Sequence, residues 1–403
     1  MARKITSRWR IKGTLVAETP LHVGGIGQDP IVDLSLAMDG QGNYYIPGTS
    51  LAGALRGWMS GSNGSQKSEI EKLWGFQPPK GDGGHASFIV VEDAPIESHF
   101  TEIRDGVGID RVTGTAAEGI KFDRAVLPKG TQIPLELTIE DPDRHLASSE
   151  LALDTLIALE SGEISLGGAK TRGLGRVKLK NLQVIEQDFS SFKGMLQTLR
   201  GEGDPVELNR KGSSARPRMG MTIHWQPIGP VMVKAEAEGN TVDMLPLTSR
   251  VEGGSLAFVI PGSSIKGSLR SQAERILRTL LDQAIPDDQD PKQRFLSQTK
   301  GLPIIRELFG EAARMESNGN GKREQKGYLG SLKIDDCYAQ NVKLSPAQWQ
   351  TITTAEKSED LQQALNNANL NHTQQAFHVA IDRWTGGAAD GFLYSTLEPI
   401  GID

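Results

Sequence analysis

The sequence predicts an α+β fold built twice in tandem, from a repeated turn–helix motif, two further repeated landmarks in the same order, and a strand-like opening to each copy. Residues 46–57 read IPGTSLAGALRG and residues 260–271 read IPGSSIKGSLRS, with seven of twelve positions identical. Leu73-Trp74-Gly75 is matched by Leu308-Phe309-Gly310, and IDRVTGTAAEG at 109–119 by IDRWTGGAADG at 381–391. A shared order over three landmarks is the mark of a duplication.

Each copy opens on alternation. Trp9, Ile11, Leu15 and Ala17 alternate with Arg8, Arg10, Lys12 and Thr14, which predicts a half-buried strand. Met221, Ile223 and Trp225 alternate with Thr222, His224 and Gln226 and predict the same strand in the second copy. A helix is expected after each IPG turn, with Ser50 and Ser264 as N-caps. In the second, Ile265, Leu269, Ala273, Ile276, Leu277 and Leu280 trace an apolar stripe of period 3.6. A further helix is expected near 148–160, so that helices cover one antiparallel sheet.

These signals give a first copy at 1–188, a linker at 189–217 and a second copy at 218–403. The linker contains the aperiodic Gly-, Ser-, Pro- and Arg-rich run that begins at residue 200. Segments 285–300 and 316–326 read as polar surface insertions in the second copy. The first copy continues about 70 residues past its IDR segment, through a glycine-rich loop, whereas 12 residues follow Gly391 in the second. The last strands of the second copy are therefore expected from further chain or from a neighbouring subunit.

Composition narrows the function classes. At 403 residues and 43.6 kDa, with 37% hydrophobic and 23% charged residues, the chain has the material for packed cores. No run reaches the roughly 18 apolar residues of a membrane span, and the single cysteine, Cys337, excludes disulfide scaffolds and zinc ribbons. A cytoplasmic location is expected. The net charge of −6 is unusual for a free-standing nucleic-acid binder and suits a subunit of a larger assembly, since binding follows the local field.

Four groups of residues are candidates for chemistry. The IPG turns join a helix N-terminus to Thr49, Ser50 and Arg56 in one copy and to Ser263, Ser264, Lys266 and Arg270 in the other, a combination suited to phosphate. A plain turn and cap is the alternative. The loop from Gly167 to Gly175 carries Lys170 and Arg172, but Ala169 stands where a P-loop needs glycine, so ATP is not expected. Asp33 and Asp243 precede their IPG turns by 13 and 17 residues, and Asp29 lies in the first of these loops. An aspartate in such a loop is either a turn former or a catalytic or metal-positioning group. His22 is close to Asp33 in sequence, yet no Ser/His/Asp set or HExxH pattern is present.

Together, Leu21-His-Val-Gly-Gly25, IPG[ST]S-x-x-G-x-LR, L-[WF]-G, IDRxTGxAxxG and the closing glycine-rich loop resemble the RAMP superfamily of CRISPR systems. The likeness is to backbone subunits of type III effectors, here as a tandem fusion. The resemblance implies ferredoxin-like, RNA-recognition-type cores with extended hairpin thumbs. It also implies CRISPR RNA, target RNA, other RAMP subunits and a large subunit as partners. Arg111 and Arg383 then become candidate RNA contacts in the thumbs. Asp33, Asp243 and Asp29 become candidate catalytic residues for metal-dependent RNA cleavage, Asp33 and Asp243 as ligands of a divalent metal such as Mg2+. A non-catalytic scaffold and a histidine-centred guide-processing nuclease are the alternatives within the same family.

Overall fold

The computed structural model describes residues 4–25, 32–62, 67–78, 83–97, 100–147, 149–208, 219–300, 302–317 and 323–403. In the first copy, the strand Ser7–Ala17 lies at the centre of an antiparallel sheet. The sheet order is Ile89–Val91, Gln132–Asp141, Ser7–Ala17, Val177–Asp188, Asp204–Pro205. The expected alternation holds: Trp9, Ile11, Leu15 and Ala17 are buried. Helices α1 (Gly48–Ser62), α2 (Lys67–Trp74) and α3 (Glu150–Glu160) add Leu51, Leu55, Ile70, Leu73, Leu156 and Leu159 to the same core.

The duplication is visible in strand register. Ile46 pairs with Ala94 in the first copy, and Ile260 pairs with Cys337 in the second. One residue before each partner stands an aspartate that receives the first helical N–H: Gly48 N–H donates to Asp93 Oδ1 at 2.6 Å, and Gly262 N–H to Asp336 Oδ1 at 2.8 Å. A Cβ on Gly48 would collide with the Val91 carbonyl, and one on Gly262 with the Ile334 carbonyl. The IPG glycine is therefore needed for close backbone approach.

The thumbs are two antiparallel hairpins, Glu102–Ile109 with Ala116–Val126 and Gln374–Ile381 with Ala388–Glu398. Their tips share one turn. Asp110 Oδ1 accepts from Val112 N–H at 2.8 Å, and Asp382 Oδ1 accepts from Trp384 N–H at 2.9 Å.

Five expectations are corrected. Residues 221–226 form no strand, and Met221 and Ile223 are exposed. The Ser7–Ala17 strand is held on both edges, by Gln132–Asp141 and Val177–Asp188, and the described part of the second copy offers no counterpart to either. Ser50 and Ser264 are not N-caps but lie inside the first helical turns, donating their N–H groups to Pro47 and Pro261 carbonyls.

The apolar stripe of α5 (Gly262–Leu280) faces outward: Leu269 is 49% exposed, whereas its counterpart Leu55 is 3% exposed. The buried residues of α5 include Lys266, Glu274 and Arg278, because the Leu332 and Gln298 carbonyls of the second copy and Arg111 of the first thumb engage that face.

The described part of segment 189–217 is not bare linker. α4 (Phe192–Leu199) and the strand Asp204–Pro205 belong to the first copy, and Val206 and Leu208 pack on its core. Residues 209–217 lie outside the description.

Segment 285–300 contains α6 (Pro291–Gln298), which grips the first thumb rather than lying free on the surface. α7 (Pro303–Phe309) follows, and the second insertion falls partly within the hairpin Glu311–Ser317 with Arg323–Tyr328. Among the described residues, no helix is long and apolar enough to cross a membrane.

Candidate nucleic-acid interface

The two aspartate loops occupy equivalent places against the two thumbs. Asp33 N–H donates to Asp123 Oδ1 at 2.6 Å, and Asp123 N–H donates back to Asp33 Oδ2 at 3.1 Å. In the second copy Asp243 N–H donates to Ser395 Oγ at 3.2 Å, and Ser395 N–H donates to Asp243 Oδ2 at 2.7 Å. Each loop continues into a parallel bridge, Leu34 with Arg124 and Met244 with Thr396. Position 395 follows 123 by the same 272-residue offset that relates Asp382 to Asp110. Asp33 and Asp243 are thus structural equivalents, although their distances to the IPG turns differ by four residues.

The two sites are chemically unlike. Asp33 faces a second carboxylate, Asp123, and each keeps one oxygen (Asp33 Oδ1 and Asp123 Oδ2) without a partner among the described residues. Asp243 faces a hydroxyl, which also donates to it at 2.9 Å. The Ser395 N–H and hydroxyl together hold the Asp243 carboxyl below its ordinary value. Asp29 falls outside the described residues.

Next to Asp123 begins a run of cations. Burial lowers the guanidinium of Arg124 to about 10, and Arg172 nearby adds to the effect. Burial also lowers Arg172 itself. Lys266 is brought down to about 8, by burial first and then by Arg172 and Arg270. Lys170 is lowered by burial and by Lys333. Like charges that depress one another are close in space, and no ion pair to Arg124, Lys170, Arg172 or Lys266 forms among the described residues. The sequence scattered these cations over 142 positions; the fold gathers them where the copies meet.

The glycine-rich loop builds this seam. Its Thr171 carbonyl accepts from Ile334 N–H at 3.4 Å, Gly173 lies against Asp336, and Arg176 pairs with Asp335 at 2.8 Å. Gly168 N–H donates to the His22 carbonyl, so the loop also touches the opening LHVGG segment. His22 Nδ1 lies 2.8 Å from the Ala125 carbonyl; burial lowers its pKa, the Ala125 contact opposes this, and Arg124 lowers it further.

Other candidates have structural duties. Arg56 donates to the Gly75 carbonyl at 3.4 Å and Arg270 to the Gly310 carbonyl at 3.1 Å, so this repeated arginine closes the L-[WF]-G turn. Lys266 Nζ donates to the Leu332 carbonyl at 2.8 Å. Arg111 Nε donates to Glu274 Oε2 at 2.6 Å, with the arginine side chain 11% exposed; it ties the copies together instead of offering a free cation. Thr49, Ser263 and Arg383 remain exposed.

Sequence reasoning missed Asp123 and Arg124. Neither recurs in the second copy, where Ser395 and Thr396 stand, so the repeat carries no signal for them.

Among the described residues no group of three or more His, Cys, Asp or Glu gathers to hold a metal ion. The donor set at Asp33 and Asp123 still suits a hard cation such as Mg2+, which keeps several waters and binds through one or two carboxylates plus substrate phosphate.

Comparison with known proteins follows the same division. The profile of the RAMP superfamily matches residues 14–178 and again 240–401. The CRISPR system Cms endoribonuclease Csm3 of Methanocaldococcus jannaschii is 24% identical over 224 residues, covering 49% of this chain and 88% of the relative. That of Methanothermobacter thermautotrophicus is 25% identical over 227 residues, covering 46% of this chain and 88% of the relative.

Proposed function

The chain belongs to the RAMP superfamily as a tandem duplication, and on that premise we propose that it is a double backbone subunit of a type III CRISPR effector. In this reading it carries CRISPR RNA in the cytoplasm, on ferredoxin-like cores, beside other RAMP subunits and a large subunit. It cleaves target RNA complementary to that guide. The observation that carries the reading is the Asp33–Asp123 pair on the strand that continues into Arg124, whose guanidinium lies close to Arg172 and, through it, to Lys266 where the copies meet. The relatives' name, an endoribonuclease of a CRISPR system, supports it.

The chemistry follows from what each group can do. Arg172 and Lys170, on the glycine-rich loop, bind phosphates and hold the backbone in place. Held so, the 2′-hydroxyl of a target nucleotide can attack the adjacent phosphate nearly in line, forming a 2′,3′-cyclic phosphate as the P–O5′ bond breaks and the departing 5′-oxygen takes a proton from water. Asp33 and Asp123 would hold a divalent cation, which when bound offsets charge developing on the phosphate. The free carboxylate oxygen of Asp33 either helps hold that cation or accepts the 2′-hydroxyl proton. Asp243 would do the same in the second copy with one carboxylate fewer.

A scaffold reading is favoured by one observation: both aspartates accept backbone N–H groups from the thumbs, which is loop shaping. Purification of the tagged chain from cells that express the whole system, followed by extraction of bound RNA, tests the function. A small RNA of defined size is expected, and its loss when Lys170 and Arg172 are both changed to Ala. A complex free of RNA would refute the proposal.

A further inference from the structure

Three elements of the seam between the copies meet at Asp336. Its Oδ1 accepts the Gly262 N–H that opens α5 at 2.8 Å, and a Cβ added to Gly173 of the glycine-rich loop would collide with the same oxygen. Its Oδ2 lies 3.4 Å from Arg104 Nη2, at the base of the first thumb. The Asp336 side chain is 2% exposed and that of Arg104 8%. The equivalent residue of the first copy, Asp93, caps Gly48 in the same way yet is exposed. The repeat supplies the cap, and the seam adds the burial.

One arginine serves two carboxylates here. Arg104 Nη2 also donates to Glu102 Oε2 at 3.1 Å, and Glu102 is fully engaged, accepting from Ser249 Oγ at 2.8 Å and Arg250 N–H at 2.7 Å. Among the described residues, Asp336 Oδ2 has no hydrogen bond, and neither has the buried Tyr338 Oη. Tyr338 lies two residues on in extended chain, hence on the same side. Ser249 stands beside that hydroxyl, but its own proton goes to Glu102. Two ionised carboxylates on one arginine leave net negative charge away from water, which is costly. Burial raises the Asp336 carboxyl; Arg104 and the Gly262 N–H pull it back, and Glu102 and Asp335 push it up again. Burial, and then the Asp336 charge, push the Tyr338 hydroxyl up, so it keeps its proton. The other charges nearby are Arg176, which takes Asp335 at 2.8 Å, and Lys129, whose Nζ lies 5.3 Å from the centre of the Tyr338 ring.

We propose that Asp336 is a proton-operated latch between the copies: a proton on Oδ2, donated to Tyr338 Oη, closes the seam, and its loss loosens it. The proton neutralises the second carboxylate while Oδ1 keeps the Gly262 N–H. The new O–H meets the acceptor that Tyr338 leaves unused. A carboxyl raised by folding adds stability that is full below its ordinary value and is lost as pH rises through the folded one. The seam therefore tightens on acidification, whereas Asp188, held low by the Ser190 and Ser191 hydroxyls, works the other way. The latch joins the loop carrying Lys170 and Arg172 to the helix carrying Lys266 and so sets their spacing. That consequence alone rests on the proposed function.

The test is hydrogen exchange on the full chain, read at the Ile334 N–H, which donates to the Thr171 carbonyl across the seam. After correction for intrinsic exchange, its protection should rise about threefold or more from about pH 8 to about pH 5. Asp336→Asn keeps an acceptor for Gly262 and offers an N–H to Tyr338, so it should hold the protected level at every pH. Asp93→Asn, at the equivalent cap, should leave the rise intact. Infrared titration of the unaltered chain reads the proton without a change at 336: a protonated-carboxyl band should grow in over the same range and shift in Tyr338→Phe. Flat protection in the unaltered chain, a rise that survives Asp336→Asn, or a band unmoved by Tyr338→Phe would overturn the proposal. RNA affinity is measured separately. A latch that titrates in a chain that binds no RNA refutes RNA guidance and leaves the latch standing.

Discussion

Asp33 and Asp123, 90 residues apart in sequence, each donate a backbone N–H to the other's carboxylate. The pair joins the loop before the IPG turn to the root of the first thumb, beside Arg124, and so couples the proposed cutting site to the proposed RNA-contacting element. In the second copy Asp243 and Ser395 make the corresponding joint with one carboxylate.

That difference predicts unequal metal dependence. Cleavage assigned to the first copy should survive at lower Mg2+ than cleavage assigned to the second, since two carboxylates attract a hard cation more strongly than one. Titration of Mg2+ against the two product bands measures it. Ser395→Asp should move the second band's midpoint toward that of the first, and an unchanged midpoint would contradict the assignment.

The proposed phosphate contact of Lys266 predicts pH-dependent RNA binding. Its pKa, about 8, lies below the ordinary 10.5, so folding costs stability wherever the side chain is charged in both states. Between about pH 8 and 10.5 the folded chain releases this proton and the unfolded chain keeps it, so the penalty fades as pH rises. Below about pH 8 it is fully present. An RNA phosphate nearby favours the charged form. Binding should therefore take up a proton near pH 8 to 9 and weaken above it, and Lys266→Arg should flatten that profile in a fluorescence titration.

The seam at Glu274 predicts an asymmetry between two variants. Glu274 is shared by Arg111 at 2.6 Å and Arg270 at 2.7 Å. Arg111→Ala leaves the acid paired and should cost roughly 1–2 kcal/mol. Glu274→Ala strands two largely buried guanidiniums and should cost about 3 kcal/mol or more. Denaturant unfolding of the two variants checks the order, and the reverse order would contradict it.

Gly262→Ala should destabilise the start of α5 by about 1–3 kcal/mol, because the new Cβ meets the Ile334 carbonyl rather than a side chain that can move aside. Gly267→Ala, in the same helix with open space around it, should be neutral or stabilising. Thermal melts of the two variants read the contrast.

The repeat was legible because its landmarks do local work. The IPG glycine meets a carbonyl, the L-[WF]-G glycine accepts an arginine at its carbonyl, and the IDRxTG turn folds on its own aspartate. Each constraint lies in a few adjacent residues, and each recurs. What stayed hidden depends on distant pairing. Asp123 becomes Asp33's partner only through the register of the thumb, and the burial of Arg111 needs α6, an insertion with no counterpart in the first copy. Alternation over Met221–Trp225 read as a strand, but a strand needs neighbours to donate to, and these the described second copy lacks. The stripe at Leu269, Ile276 and Leu280 was a true amphipathic signal whose polar side, not its apolar side, faces the seam.

The central claim is that each copy supplies one cut at its aspartate loop. The most direct measurement is mapping of the products from a complementary target RNA cut by the purified complex carrying Asp33→Asn, Asp243→Asn, or both. Asparagine keeps an acceptor for the Asp123 or Ser395 N–H while removing the charge, so binding should change little and the chemical step much. The account predicts that Asp33→Asn abolishes one product band, Asp243→Asn a different one, and the double variant both, with target affinity within about threefold of the unaltered complex. Unchanged bands in all three variants, at normal binding, would contradict it and leave the aspartates as shapers of their loops.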